Sequence, residues 1–163
     1  MNVSTPFRSP LGLAGIAAAA LLGVLAGTGL FTFSYAEGLS YLSNDPRACV
    51  NCHVMRNEYD GWQKATHHSF ATCNDCHVPH DLVGKYVTKV KHGWRHSRAF
   101  TLNDFHEPIQ ILPEDLEIVR RNCLRCHGEL VGELAPPQHA SAAASGQTDC
   151  IHCHAAVAHG PLR

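Results

Sequence analysis

The sequence predicts a mainly α-helical protein with much irregular chain: one N-terminal helix long enough to cross a membrane, then a small domain that packs around something other than its own side chains. Three observations lead there. No side chain between residues 9 and 36 is charged. The 163 residues include 8 Cys and 13 His, far above ordinary globular usage. Aromatic residues are only 7%, and 13 Gly and 9 Pro leave few large apolar side chains for a core. With 13 Lys and Arg against 14 Asp and Glu, the formal charge is -1. Nothing here would neutralise a run of phosphates, so nucleic acid is not an expected partner.

The first element is the apolar one. A helix over about 10–36 spans a bilayer, which sets an anchor at 1–36 and the domain at 37–163. Arg8 and the amino terminus precede the helix, whereas Glu37 and Asp45 follow it. That asymmetry puts the amino terminus in the cytoplasm and the domain on the far side of the cytoplasmic membrane. Ser34-Tyr35-Ala36 imitates a signal cleavage site, but the apolar region is about twice the length of a secretory signal, so the anchor is expected to stay. Phe31, Phe33 and Tyr35 suit exit through an aromatic belt.

All eight Cys fall into four copies of one signature: Cys49-Val-Asn-Cys52-His53, Cys73-Asn-Asp-Cys76-His77, Cys123-Leu-Arg-Cys126-His127 and Cys150-Ile-His-Cys153-His154. Two thiols three positions apart can form thioethers with the two vinyl groups of one haem, and the next imidazole then reaches the iron. The domain is therefore expected to hold four covalently attached c-type haems. Zinc ribbons and disulfide frameworks also use paired Cys, but neither needs the following His. Four His in those four places would arise by chance with a probability of ~10⁻⁵ even at this His content.

The motifs start at 49, 73, 123 and 150, so two close pairs flank a longer insert and predict two haem pairs, as an internal duplication would leave. Within the insert, helices are expected from about Asp81 to Ser97 and from Pro113 to Cys123. In the second, Pro113-Glu-Asp marks a start and Arg120-Arg121 an end. Ala135 to Gln147 is loop by composition, and the remaining chain is expected to be irregular.

Four haems have eight axial positions, and motif His can fill at most four. His159 follows His154 by five residues, too close to reach the opposite face of the same haem, so it serves another. His67, with His68 as rival, is the other candidate ahead of the second motif. Met55, two residues after His53, either packs as a filler or replaces His53 on the same face.

Taken together, Cys49-x-x-Cys52-His53-x-Met55, Val78-Pro79 after the second motif, Gly93-Trp94-x-His96-Ser97-x-Ala99-Phe100-Thr101, Asn122-Cys123-x-x-Cys126-His127 and Val157-x-His159-Gly160 carry a resemblance. The chain resembles the membrane-anchored tetrahaem quinol dehydrogenases of the NapC/NirT/NrfH family, on the branch serving cytochrome c nitrite reductase. The resemblance implies oxidation of menaquinol from the membrane quinone pool and delivery of electrons to a periplasmic pentahaem catalytic subunit that reduces nitrite to ammonium. It implies Met55 rather than His53 on the first iron, His77 on the second, His127 with His159 on the third and His154 with His67 on the fourth. The far ligand of the second haem would be a Lys lent by the catalytic subunit, or His139 of this chain.

Lys85, Lys89, His92 and His96 recur at spacings of four, three and four, on one face of the expected helix. Leu82, Val83, Tyr86, Val87, Val90 and Trp94 populate another face, an amphipathic pattern suited to the membrane surface. The resemblance makes Lys85 a quinol-binding residue and sets His92 where the family commonly has Asp. His92 then either coordinates the first iron or accepts a proton from quinol. Two other functions compete: a quinol-derived donor serving a different reductase, such as a nitrate reductase, and a haem relay with no quinol site. The short segments between motifs leave too little protein for a self-sufficient reductase.

Overall fold

The computed structural model describes residues 10–134 and 150–160. All regular structure among them is helical: α1 (Pro10–Tyr35), a 3-10 turn at Gly38–Leu42, α2 (Arg47–Val50), a 3-10 turn at His53–Met55, α3 (Arg56–Gln63), α4 (Cys73–His77), α5 (Leu82–Leu102), α6 (Pro113–Leu134), α7 (Cys150–Cys153) and α8 (Ala156–His159). The chain divides into two units between Leu39 and Ser40. In the first, Gly12–Tyr35 has a mean hydropathy of 2.0 and is long enough to cross a membrane, as its composition requires. Phe31 and Tyr35, one turn apart, stack with ring centres 6.0 Å apart.

Among its described residues the second unit has almost no apolar core of its own. Among the described residues only Ala48 and Val78 are buried apolar side chains, beside buried Thr88, Lys89 and Asn122. Polar ties do much of the fastening. Asn122 on α6 donates from Nδ2 to the carbonyls of Cys76 and Val78, both at 2.9 Å, and so pins the second motif to the third. Thr72 and Asp75 close a capping box on α4, and Asp81 accepts from the Gly84 amide at 2.6 Å to start α5. The buried Lys89 Nζ donates to the carbonyls of Tyr41 (2.9 Å) and Ser43, fixing the first residues of the domain. Asn122→Ala would leave two carbonyls without their donor, costing about 1–3 kcal/mol. Denaturant unfolding of the haem-loaded protein is expected to show that loss.

Two helices run further than the sequence suggested. α5 continues to Leu102, where Asn103 adopts φ 52° and returns its amide to the Ala99 carbonyl, a left-handed cap. α6 continues to Leu134 rather than stopping at Cys123. The Glu117–Arg121 contact at 3.0 Å makes Arg121 one half of an i,i+4 pair within the helix, not a terminal cation, and the third motif is itself a helical turn. The short helices α3 and α8 form where irregular chain was expected. Each is brief enough that propensity gave no signal, and they hold their shape by packing on one another. The loop expected over 135–147, with His139, lies outside the described residues, as does Arg8.

Candidate functional site

Three of the four motifs are single helical turns. Cys73 and His77 bound α4, Cys123 to His127 lie within α6, and after α7 the His154 amide bonds the Cys150 carbonyl at 2.9 Å. That spacing sets both sulfurs and the imidazole on one side of the chain. The first motif is built differently. α2 ends at Val50, Cys52 is extended at φ -88° and ψ 113°, and His53 to Met55 form a 3-10 turn. Residues of such a turn fan out by about 120° each, so His53 and Met55 leave the backbone in different directions. His53 is exposed and Met55 half-buried. All eight Cys are free, and among the described residues no group of three or more His, Cys, Asp or Glu is placed to hold a metal ion.

The motifs crowd together. The thiols of Cys49 and Cys73 lie within hydrogen-bonding reach, and Cys76 feels the charges of Cys123 and Cys126. The Tyr41 hydroxyl meets Cys52 Sγ at 3.5 Å. Burial first, then the charges of His159 and His92, push the His77 pKa down to about 4, so its imidazole is neutral at physiological pH, the form that binds metal.

His67 and His159 each take their orientation from a backbone carbonyl. His67 Nδ1 meets the Val157 carbonyl at 3.1 Å and His159 Nδ1 the Glu58 carbonyl at 2.9 Å. A carbonyl can only accept, so each Nδ1 donates, and in the neutral imidazole the acceptor is then Nε2. His68 is engaged elsewhere, edge-on to Trp62 with ring centres 4.6 Å apart. The ring of His67 lies with its centre 6.0 Å from that of His127, and the ring of His159 with its centre 6.0 Å from that of His77. α8 is seated on α3, where a Cβ on Gly61 would run into the His159 carbonyl.

α5 is turned inside out for a water-soluble helix. Lys89 is buried and His92 is largely shielded, whereas Leu82, Val83, Val90 and Trp94 are each more than 70% exposed. Lys85 lies one turn before Lys89 with Nζ 5.9 Å from the Tyr86 ring centre, and burial, then the Lys85 charge, lowers the Lys89 pKa. His92 Nε2 meets Asp115 Oδ1 on α6 at 3.1 Å.

Residues 13–163 match the family model described as the NapC/NirT cytochrome c family, N-terminal region. The chain belongs to that family. The chain is 39% identical to the cytochrome c-type protein NrfH of Wolinella succinogenes, over 83% of this chain and 81% of that protein. It is 33% identical to the cytochrome c nitrite reductase subunit NrfH of Nitratidesulfovibrio vulgaris, over 94% and 86%. A crystal structure of the cytochrome c nitrite reductase NrfHA complex bound to the inhibitor HQNO matches at a TM-score of 0.60 and 29% identity, covering 91% of this chain and 92% of that one.

As a member of the NapC/NirT family the chain carries covalently bound c-type haem and is a single-pass membrane-anchored protein. Its residues fit the haem: paired thiols on single turns, oriented imidazoles, and a domain whose side chains close no core alone. Sequence reasoning missed Gly61, Asn122 as a tie and Asp115. Asn122 lies beside Cys123 in the third motif, and Asp115 was legible only as an acid at the start of a helix.

Proposed function

We propose that this chain oxidises menaquinol at the outer face of the cytoplasmic membrane and passes the electrons through four c-type haems to a pentahaem catalytic subunit that reduces nitrite. The observation that carries this reading is the divergent first motif, where Met55 turns inward and His53 outward, so that one haem differs from the rest. Its relatives include a nitrite reductase subunit and a complex bound to HQNO, an inhibitor, which supports a quinol site.

In this proposal Met55 holds the first iron, His77 the second, His127 and His159 the third, and His154 and His67 the fourth. The catalytic subunit lends a Lys to the second, or His139 fills that place. Bound haem supplies one-electron transfer. The two close ring contacts then join ligands of successive haems: His77 with His159 between the second and third, His127 with His67 between the third and fourth. Lys85 and His92 face the quinol. Because the Asp115 carboxylate can only accept, His92 Nε2 carries a proton and is not available to iron. The exposed apolar stripe of α5 suits contact with the bilayer that supplies the substrate.

The test is reconstitution of the chain with its catalytic subunit in lipid vesicles holding a menaquinol analogue. Nitrite-dependent quinol oxidation blocked by HQNO is the expected result. Quinol left unoxidised with both subunits present would overturn the reading.

A further inference from the structure

α6 reaches back to α5 through a polar cluster built around His92 and Asp115. Asp115 Oδ1 accepts from His92 Nε2 at 3.1 Å, and Asp115 Oδ2 accepts from Arg95 at 3.0 Å. Arg95 also bonds Glu114, and Lys91 approaches Glu114 at 3.8 Å. His96 lies parallel to the His92 ring, 17° between planes, with ring centres 5.9 Å apart. Side chains of His92 and Asp115 are only 20% and 15% exposed. Such a pair is screened by neighbouring protein more than by water, and its geometry is held by two helices rather than by one flexible loop.

We infer that Asp115 is a positioning residue for quinol oxidation: it fixes the tautomer and ring orientation of His92, so that Nδ1 offers a lone pair to a quinol hydroxyl. This rests on the proposed quinol site and deepens it. A neutral imidazole bearing its proton on Nε2 has its acceptor on Nδ1, and a partner that can only accept holds it in that state. Arg95 in turn occupies the second oxygen of Asp115 and keeps the carboxylate from rotating away.

For each electron passed to the haem relay, one quinol O–H bond breaks and one Nδ1–H bond forms on His92. The new imidazolium faces the Asp115 carboxylate, and Nδ1 then releases its proton to water. Two such rounds account for the two electrons and two protons of quinol oxidation. The charged and titratable groups around His92 are Arg95, Lys91 and His96 on α5 and Glu114 and Asp115 on α6, with His77 of the second motif near enough to feel His92 and Asp115. Lys91 approaches Glu114, Arg95 bridges Glu114 and Asp115, and Asp115 is the carboxylate bonded to His92.

The experiment uses the full chain in complex with its catalytic subunit, comparing wild type, Asp115→Asn, Asp115→Glu, His92→Ala and the double variant His92→Ala/Asp115→Asn. Haem content by mass, HQNO affinity by fluorescence quenching, and kcat and KM for dimethylnaphthoquinol are measured on each. Asn in place of Asp115 can offer its NH₂ to His92 and favour the opposite tautomer. Asp115→Asn is expected to lower kcat about ten- to hundredfold, with KM and HQNO affinity within about twofold of wild type. Asp115→Glu is expected to restore most of the rate, and the double variant to be no slower than His92→Ala alone. Unchanged kcat in Asp115→Asn, or a double variant slower by the product of the two single effects, overturns the inference. If Asp115→Asn loses haem, the comparison of Asp115→Glu with wild type decides, since a rate reduced by more than tenfold despite four haems would contradict rescue. Wild type that binds no HQNO would instead defeat the quinol site itself.

Discussion

Gly61→Ala is expected to convert one haem from low spin to high spin. The substituted methyl would be driven into the His159 carbonyl, where α3 and α8 approach, and backbone on both sides leaves no flexible side chain to yield. His159 also takes its orientation from α3, through Nδ1 to the Glu58 carbonyl, so a shift of α8 both moves the ring and breaks the bond that aims it. An iron deprived of its far ligand is five-coordinate, and electron paramagnetic resonance reads the change directly. The expected high-spin haem is the one attached at Cys123 and Cys126. A high-spin haem at Cys73 and Cys76 would show instead that His77 and His159, 6.0 Å apart, share an iron; unaltered spectra would show that His159 is not a ligand.

Mass spectrometry of the mature wild-type chain is expected to give polypeptide plus four haems with the anchor retained, and Cys123→Ser/Cys126→Ser to give three or fewer. The proposal uses all eight Cys of the chain as thioether sites, and all eight are free thiols in the structure. Because Asn122 ties the second motif to the helix carrying the third, loss of the third haem is also expected to loosen the second. A wild-type mass of fewer than four haems, or one that includes zinc, would overturn the tetrahaem reading.

The anchor and motif positions were legible because each rests on local chemistry: an uncharged run of membrane length, and thiols at fixed intervals. Helix ends were less legible. Arg120-Arg121 resembles a C-terminal cation pair until Glu117 is seen to engage Arg121 from within the helix, and Asn103 marks the end of α5 only through a positive φ. The site partners were hidden for a different reason. His92 and Asp115 are 23 residues apart, His67 and Val157 90, and His159 and Glu58 101, so no periodicity connects them. Gly61 looked like any helical glycine until His159 lay against it.

The near absence of buried apolar side chains has a consequence for refolding. In most cofactor proteins the ligand diffuses away when the chain opens, so recovery is second order and slows on dilution. In the proposed tetrahaem form the material that fills the interior is tethered at Cys49, Cys52, Cys73, Cys76, Cys123, Cys126, Cys150 and Cys153 and stays with the chain through any unfolding. Renaturation of the domain is therefore unimolecular with respect to haem, and maturation by covalent attachment is what makes a stable fold available to a chain whose only buried apolar side chains among the described residues are Ala48 and Val78.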